Sequence, residues 1–166
     1  MNRRAFMIAG LAIIAAAIVA VARPAVPPWR DAHPWTTRTA TVVIGDIVLE
    51  AEIADTPALQ RRGLGYRDAL EPGTAMLFKF PDPGVRSFWM KGMRFCLDII
   101  WIADDSIVGA AEKACPMPEA AEGDLPRYSS GEEVSYVLEV PAGWMELNDF
   151  GPDTEVEIRL PEDQES

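Results

Sequence analysis

Residues 87–102 read SFWMKGMRFCLDIIWI and contain the most informative pattern in the chain. The second half is an apolar, strand-like run that carries one acid, Asp98. Alternation along the run places Asp98 on a strand face whose other members are apolar. Because an unpaired buried charge is strongly unfavourable, we expect Asp98 to be at least partly buried and bound by a cation or by backbone amides. The candidate cations, in order, are Lys91, Arg86 and Arg62.

Short strand patterns separated by turn signals continue on both sides of this run. Gly45-Asp46 suits a two-residue hairpin turn in front of the alternating segment 47–53. Thr56-Pro57 and Gly63 supply the start and stop signals of one short helix. These patterns predict a mainly β (β-rich α+β) domain, with a single antiparallel sheet curled into a small barrel or sandwich and one or two short helices.

Two segments are expected to interrupt the strands. Pro81-Asp82-Pro83-Gly84 is expected to end a strand over 76–80 before another over 85–90. Residues 116–133 hold five acids, three prolines and two glycines, which favours a long surface loop. Strands over 134–140 and 154–160, with a short helix opened by Pro141 between them, are predicted to follow.

The N-terminus has the pattern of an export signal. Arg3-Arg4 precedes an uncharged apolar run that ends at Ala22, so residues 1–22 are expected to be a signal peptide or an N-terminal membrane anchor. The arginine pair resembles a twin-arginine signal, with the Sec route as the alternative. We expect a proline-rich linker over 23–37, one domain over 38–161 and a disordered tail over 162–166. The domain would face the periplasm or the outer face of the inner membrane of a bacterium.

The chain is acidic, with a formal net charge of −11. Such a charge repels nucleic acid and anionic lipid head groups. We therefore expect no nucleic-acid partner, and membrane contact only through the N-terminal segment.

Five ordered motifs resemble domain-of-unknown-function family 192. They are RGLGYR at 62–67, MLFKF at 76–80, FWMK at 88–91, LDII at 97–100 and YVLEVPAG at 136–143. The resemblance covers roughly Ile44 to Ile158. It implies a small, mainly β domain of the kind often found behind a signal or lipoprotein sequence in bacteria and archaea. It assigns no activity, substrate or catalytic residue.

The same residues favour a small-ligand or partner-binding module, with an unknown small molecule or envelope protein as the partner. Aromatic side chains would form an apolar wall, and a few charged groups would converge beside it. Arg62 and Arg67 would add an anion-binding rim. The candidate cleft comprises Arg62, Arg67, Arg86, Trp89, Lys91 and Asp98. The alternative is that the aromatics are core and that the arginines cap a helix.

Catalysis is the less favoured interpretation. The only histidine, His33, lies in the predicted linker, so a histidine-based triad lacks its base. A hydrolase-type enzyme using a carboxylate around Asp98, paired with Glu139 or Glu112, is the alternative. No cofactor is expected.

Two cysteines would meet an oxidising compartment after export. Cys96 and Cys115 would then form a disulfide that stabilises the fold by roughly 3 kcal/mol, or else remain two buried thiols. A second functional alternative is copper(I) binding by Met90, Met93 and Cys96 with nearby sulfurs. Because the surrounding residues indicate strand and turn, and helical spacing would be needed to stack these positions, we assign no metal site.

Overall fold

A computed structural model describes residues 38–161, which form one curled, seven-stranded sheet, a half-barrel with two short helices. The strands are β1 (Thr39–Ile44), β2 (Ile47–Ala54), β3 (Thr74–Trp89), β4 (Leu97–Ala103), β5 (Ser106–Ala114), β6 (Arg127–Pro141) and β7 (Val156–Arg159). The helices are α1 (Pro57–Arg62) and α2 (Trp144–Asn148). The predicted fold class is therefore confirmed. The predicted signal or anchor, the linker and the tail lie outside the described residues.

The strands lie in the order β5-β4-β6-β3-β2-β1-β7. Neighbouring strands are antiparallel except β2 and β3, which are parallel and are connected through α1. The two edges meet at one end, where the amide of Ile107 donates to the carbonyl of Thr154 over 2.9 Å and the amide of Val156 donates to that of Asp105 over 2.8 Å. These bonds protect part of the edge that an open sheet would expose. Within residues 38–161, no helix has the length and apolar character needed to cross a membrane.

The hairpin and the first helix form where the sequence predicts them. Gly45 has a φ of 57°, which the turn between β1 and β2 requires. The hydroxyl of Thr56 accepts a hydrogen bond from the amide of Leu59 over 3.3 Å and so caps α1. Gly63, with a φ of 51°, ends the helix.

The two predicted interruptions are partly wrong. The segment Pro81–Gly84 lies inside β3, which is one strand of 16 residues. A register shift between Lys79 and Gly84 keeps the prolines out of the pairing with β6, so the missing amides cost no ladder bonds. The predicted loop over 116–133 ends early because β6 begins at Arg127, which pairs with Trp89.

Both faces of the sheet are buried. One face carries residues such as Leu77, Ile100 and Leu138, against which Met145 of α2 packs. The other carries Phe78, Ile99 and Val137, covered by Leu64 and other residues from the segment that follows α1. Successive residues of a strand point to opposite faces of the sheet. The position of a polar residue along its strand therefore decides which of the two cores it enters.

Candidate functional site

A cleft of about 660 Å³ opens between α1 and the bent strand β3. Four cationic side chains line it, two from the last turn of α1 and two from β3 and its end: Arg61, Arg62, Arg86 and Lys91. The other lining residues are uncharged and mostly aromatic: Gln60, Tyr66, Phe78, Phe80, Val85, Ser87, Phe88 and Trp89. The structure therefore brings four of the six predicted cleft residues together, namely Arg62, Arg86, Trp89 and Lys91.

Gln60 fixes α1 against the sheet at this cleft. Its side-chain amide donates to the carbonyl of Lys79 over 2.8 Å and to that of Ala54 over 3.3 Å. These bonds tie the helix to β3 and to the end of β2. The adjacent Arg61 and Arg62, in the last turn of α1, are thereby held in the cleft lining.

Aromatic rings in mutual contact form the wall of the cleft. Phe88 contacts Phe78 edge-to-face with ring centroids 4.8 Å apart, and it contacts Trp101 at 5.7 Å. Trp89 has the guanidinium of Arg127 over its ring at 4.3 Å and the Lys91 ammonium at 5.1 Å. Such contacts add to the apolar burial and hold the rings in place.

Two of the cleft cations, Arg86 and Lys91, are only partly neutralised. Arg86 lies over the Phe80 ring at 3.9 Å and donates through Nη2 to the Asp82 carbonyl. Its Nε is buried and has no hydrogen-bond partner within the described residues. Lys91 reaches Glu122 across 2.6 Å, but both side chains are largely exposed, so that pair is weak. The chain has a net charge of −11, yet among residues 38–161 the cleft lining includes four cations and no acid. The sign of the charge is therefore reversed locally.

Glu139 lies next to the cleft. It is 6% exposed and, among residues 38–161, its Oε2 has no hydrogen-bond partner. Burial raises the pKa of Glu139 to about 8, although the charge of Arg67 acts in the opposite direction. The carboxyl borders a void of about 50 Å³, which shares Arg61, Arg62 and Lys91 with the cleft.

Arg67 lies outside the cleft. It forms a two-pronged, buried ion pair with Glu52, with Nη2 and Oε2 2.8 Å apart. Register places Glu52, Met76 and Glu139 side by side across β2, β3 and β6, so this ion pair lies on the same face as Glu139. Arg67 therefore serves the interior of the protein rather than an anion-binding rim.

Asp98 also lies outside the cleft. It is fully buried, and its carboxylate accepts three backbone hydrogen bonds, from Lys113 over 2.7 Å and from Gly143 and Met145 over 3.0 Å each. The amide alternative is therefore the correct one for Asp98. The three candidate cations line the cleft instead. A carboxylate that accepts several amides is well stabilised without a cation.

The predicted carboxylate pairs do not form. Asp98 pairs with Val140 and Ile99 pairs with Glu139, so the two acids point to opposite faces of the sheet. Glu112 is exposed on β5, whereas Asp98 is buried. A two-carboxylate site around Asp98 has no geometric basis.

The sulfur atoms proposed as copper(I) ligands are not arranged as a copper site. Cys96 and Cys115 are joined in a disulfide, with Cα atoms 4.1 Å apart, so neither supplies a thiolate. Met90 is buried in the core, and Met117 is exposed. Within residues 38–161, no group of three His, Cys, Asp or Glu side chains is placed to hold a metal ion.

Sequence reasoning missed the importance of Glu139 and Arg61. Glu139 entered only as a partner for Asp98, although it shows the same signal, an acid within the apolar strand Val137-Leu138-Glu139-Val140. Arg61 precedes Arg62 on α1, and nothing in the sequence alone indicates that both would face β3.

The fold and the cleft define a small half-barrel domain with a cleft lined by cationic and aromatic side chains. The chain belongs to domain-of-unknown-function family 192, described as "Uncharacterized ACR", whose model matches residues 40–158. No functionally curated protein matches the chain.

Two crystal structures are similar to the chain, each with a TM-score of 0.63. One is a protein from Sinorhizobium meliloti described as a "putative transcription regulator", at 30% identity over 73% of this chain and 92% of that one. The other is a protein of unknown function from Novosphingobium aromaticivorans, at 28% identity over 72% and 83% of the two chains.

Proposed function

We propose that this protein is an exported, non-catalytic binding domain whose cleft takes a small organic anion with an aromatic or apolar part. The observation that carries the proposal is the lining of the cleft, which combines four cations with a wall of aromatic rings. Cations beside an apolar wall bind a ligand that has a carboxylate or phosphate at one end and a ring or alkyl group at the other.

The Nε of Arg86, which has no hydrogen-bond partner within residues 38–161, also supports binding of an anion in the cleft. Buried polar groups in folded proteins nearly always have a hydrogen-bond partner. Arg86 lines the cleft, where an anionic ligand would supply an acceptor after a small movement of the side chain.

Binding is a better account of these residues than catalysis. The only histidine of the chain is His33, outside the described residues, and the carboxylate pairs around Asp98 do not form. The S. meliloti protein carries a regulator's name, but the net charge of −11 opposes contact between this chain and nucleic acid phosphates.

Export rests on separate observations. The segment Arg3–Ala22 has the pattern of a signal or anchor. The disulfide between Cys96 and Cys115 suits an oxidising compartment such as the periplasm.

Titration calorimetry with three small probes tests the binding proposal. Phenylacetate carries both a ring and a carboxylate, acetate lacks the ring, and 2-phenylethanol lacks the charge. We expect phenylacetate to bind more tightly than either of the others. Arg61→Ala should weaken its binding by about three- to tenfold, which is the loss expected for one partly exposed charge contact.

Arg159→Ala is the matched control, because Arg159 is an exposed cation on β7 paired with Glu157 and lies outside the cleft. It should leave binding unchanged. Equal weakening by the two variants would show a general charge effect, and no binding of phenylacetate to the wild type would overturn the proposal.

A further inference from the structure

Two buried polar side-chain atoms without partners, Arg86 Nε and Glu139 Oε2, are found within residues 38–161. Arg86 lines the cleft, and Glu139 borders a neighbouring void that shares lining residues with the cleft. Because buried polar groups are rarely left unbonded, each of these atoms is a candidate partner for a bound ligand.

The void has room for the head group of a ligand. Its volume of about 50 Å³ exceeds what one water molecule requires. The cleft and the void share the cations of α1 and Lys91, together with the rings of Phe88 and Trp89. A ligand lying along the aromatic wall would therefore extend its end group toward Glu139.

We infer that the Glu139 carboxyl donates a hydrogen bond to the carboxylate of the bound anion and thereby forms the inner end of the cleft. This inference rests on the proposed anion binding and identifies the residue that contacts the carboxylate of the ligand. Of the residues that the structure describes, Glu139 is the only acid that borders the void, and three cations border it as well: Arg61, Arg62 and Lys91. Their field favours a carboxylate over an ammonium group at this position.

The protonation state of Glu139 is suited to donating. Since burial raises its pKa to about 8, the side chain is mostly a neutral acid at pH 7 and offers an O–H group. The other charged groups on this face, Arg67 and Glu52, form a salt bridge with each other. A hydrogen bond from a carboxylic acid to a carboxylate is charge-assisted and short.

The inference predicts a pH dependence for phenylacetate, whose own charge is constant between pH 7 and pH 9 because its carboxyl ionises far below that range. Wild-type affinity should fall about tenfold from pH 7 to pH 9, as Glu139 ionises and repels the anion. Glu139→Gln keeps a neutral donor of the same size. It should bind at pH 7 about as well as the wild type and lose this pH dependence.

A second measurement needs no variant. Calorimetry of the wild type at pH 8, in two buffers of different ionisation enthalpy, should show uptake of about half a proton for each phenylacetate bound. Proton release, or tighter binding of phenylacetate at pH 9 than at pH 7, would overturn the inference.

The results distinguish a failure of the role of Glu139 from a failure of anion binding in the cleft. If phenylacetate binds, Arg61→Ala weakens it, and the wild type shows the same pH profile as Glu139→Gln, then the cleft binds anions and the role of Glu139 is wrong. If phenylacetate binds at neither pH, both fail.

Discussion

Asp98 and Glu139 are two acids in apolar strands with opposite surroundings. Asp98 on β4 faces the core that holds α2 and accepts three backbone amides. Glu139 on β6 faces the other core, where one carboxyl oxygen has no partner in the described part of the chain. The first residue therefore joins β4, β5 and the start of α2, whereas the second is the group that we propose to bond the ligand.

Asp98→Ala should destabilise the domain by on the order of 3–5 kcal/mol, because it strands three amides that are oriented toward the carboxylate. Urea unfolding measures the loss. Asp98→Asn should cost less than Asp98→Ala, since one acceptor oxygen survives. The exposed Asp124 serves as the control, and its alanine variant should lie close to wild type. A loss below about 1 kcal/mol for Asp98→Ala would contradict the structural role.

Glu139 should make the free energy of unfolding depend on pH. Its carboxyl ionises near pH 4.5 in the unfolded chain but near pH 8 in the folded protein. Between these values the folded state binds more protons, so the free energy of unfolding should fall as the pH rises from about 5 to 8 and level off above. Glu139→Gln stays neutral and should be more stable than wild type at pH 9, by on the order of 2–4 kcal/mol.

Urea unfolding across pH 5–9 tests this dependence without any ligand. Glu132→Gln, at an exposed position of the same strand, should keep the wild-type pH profile. If Glu139→Gln kept it as well, the titrating group would lie elsewhere.

At the scale of elements, the sequence predicts the β1–β2 hairpin and helix α1, because both are determined by residues close together in the chain. The β1–β2 turn needs a positive φ at Gly45, and α1 needs a cap at Thr56 and a stop at Gly63. Each requirement can be read within a few residues, so the hairpin and the helix follow from the sequence.

The long β3–β6 pair does not follow in this way. Proline and glycine at 81–84 and the polar residues before 134 favour loops locally, yet Phe88 pairs with Tyr128 and Trp89 with Arg127. Such pairs join residues about 40 positions apart, and their register is invisible to local composition. The cleft depends on this pairing, because it places Arg86, Trp89 and Lys91 opposite α1. The sequence therefore indicated four cleft residues, while Arg67 and Asp98 were assigned to it without knowledge of register.

At the scale of the whole molecule, the charge is distributed unequally. The chain carries 26 acidic and 15 basic residues, yet in the part that the structure describes four basic residues and no acid line the cleft. A surplus of negative charge elsewhere keeps the molecule away from polyanions, and the cleft presents the opposite sign to small anions. The unequal distribution favours a small anionic ligand over a nucleic acid or an anionic membrane surface.

Export and the disulfide should depend on each other. The full chain, expressed in a bacterium, should reach the envelope and carry the bond between Cys96 and Cys115, because that compartment is oxidising. A chain that starts at residue 23 should remain in the cytoplasm with two free thiols. Without the bond, which spans 19 positions, it should be less stable by roughly 3 kcal/mol. Alkylation of free thiols before and after reduction, followed by intact mass, measures the thiol state in each fraction. If both chains had the same oxidised mass, disulfide formation would not depend on export. A full chain found only in the cytoplasm would refute export itself.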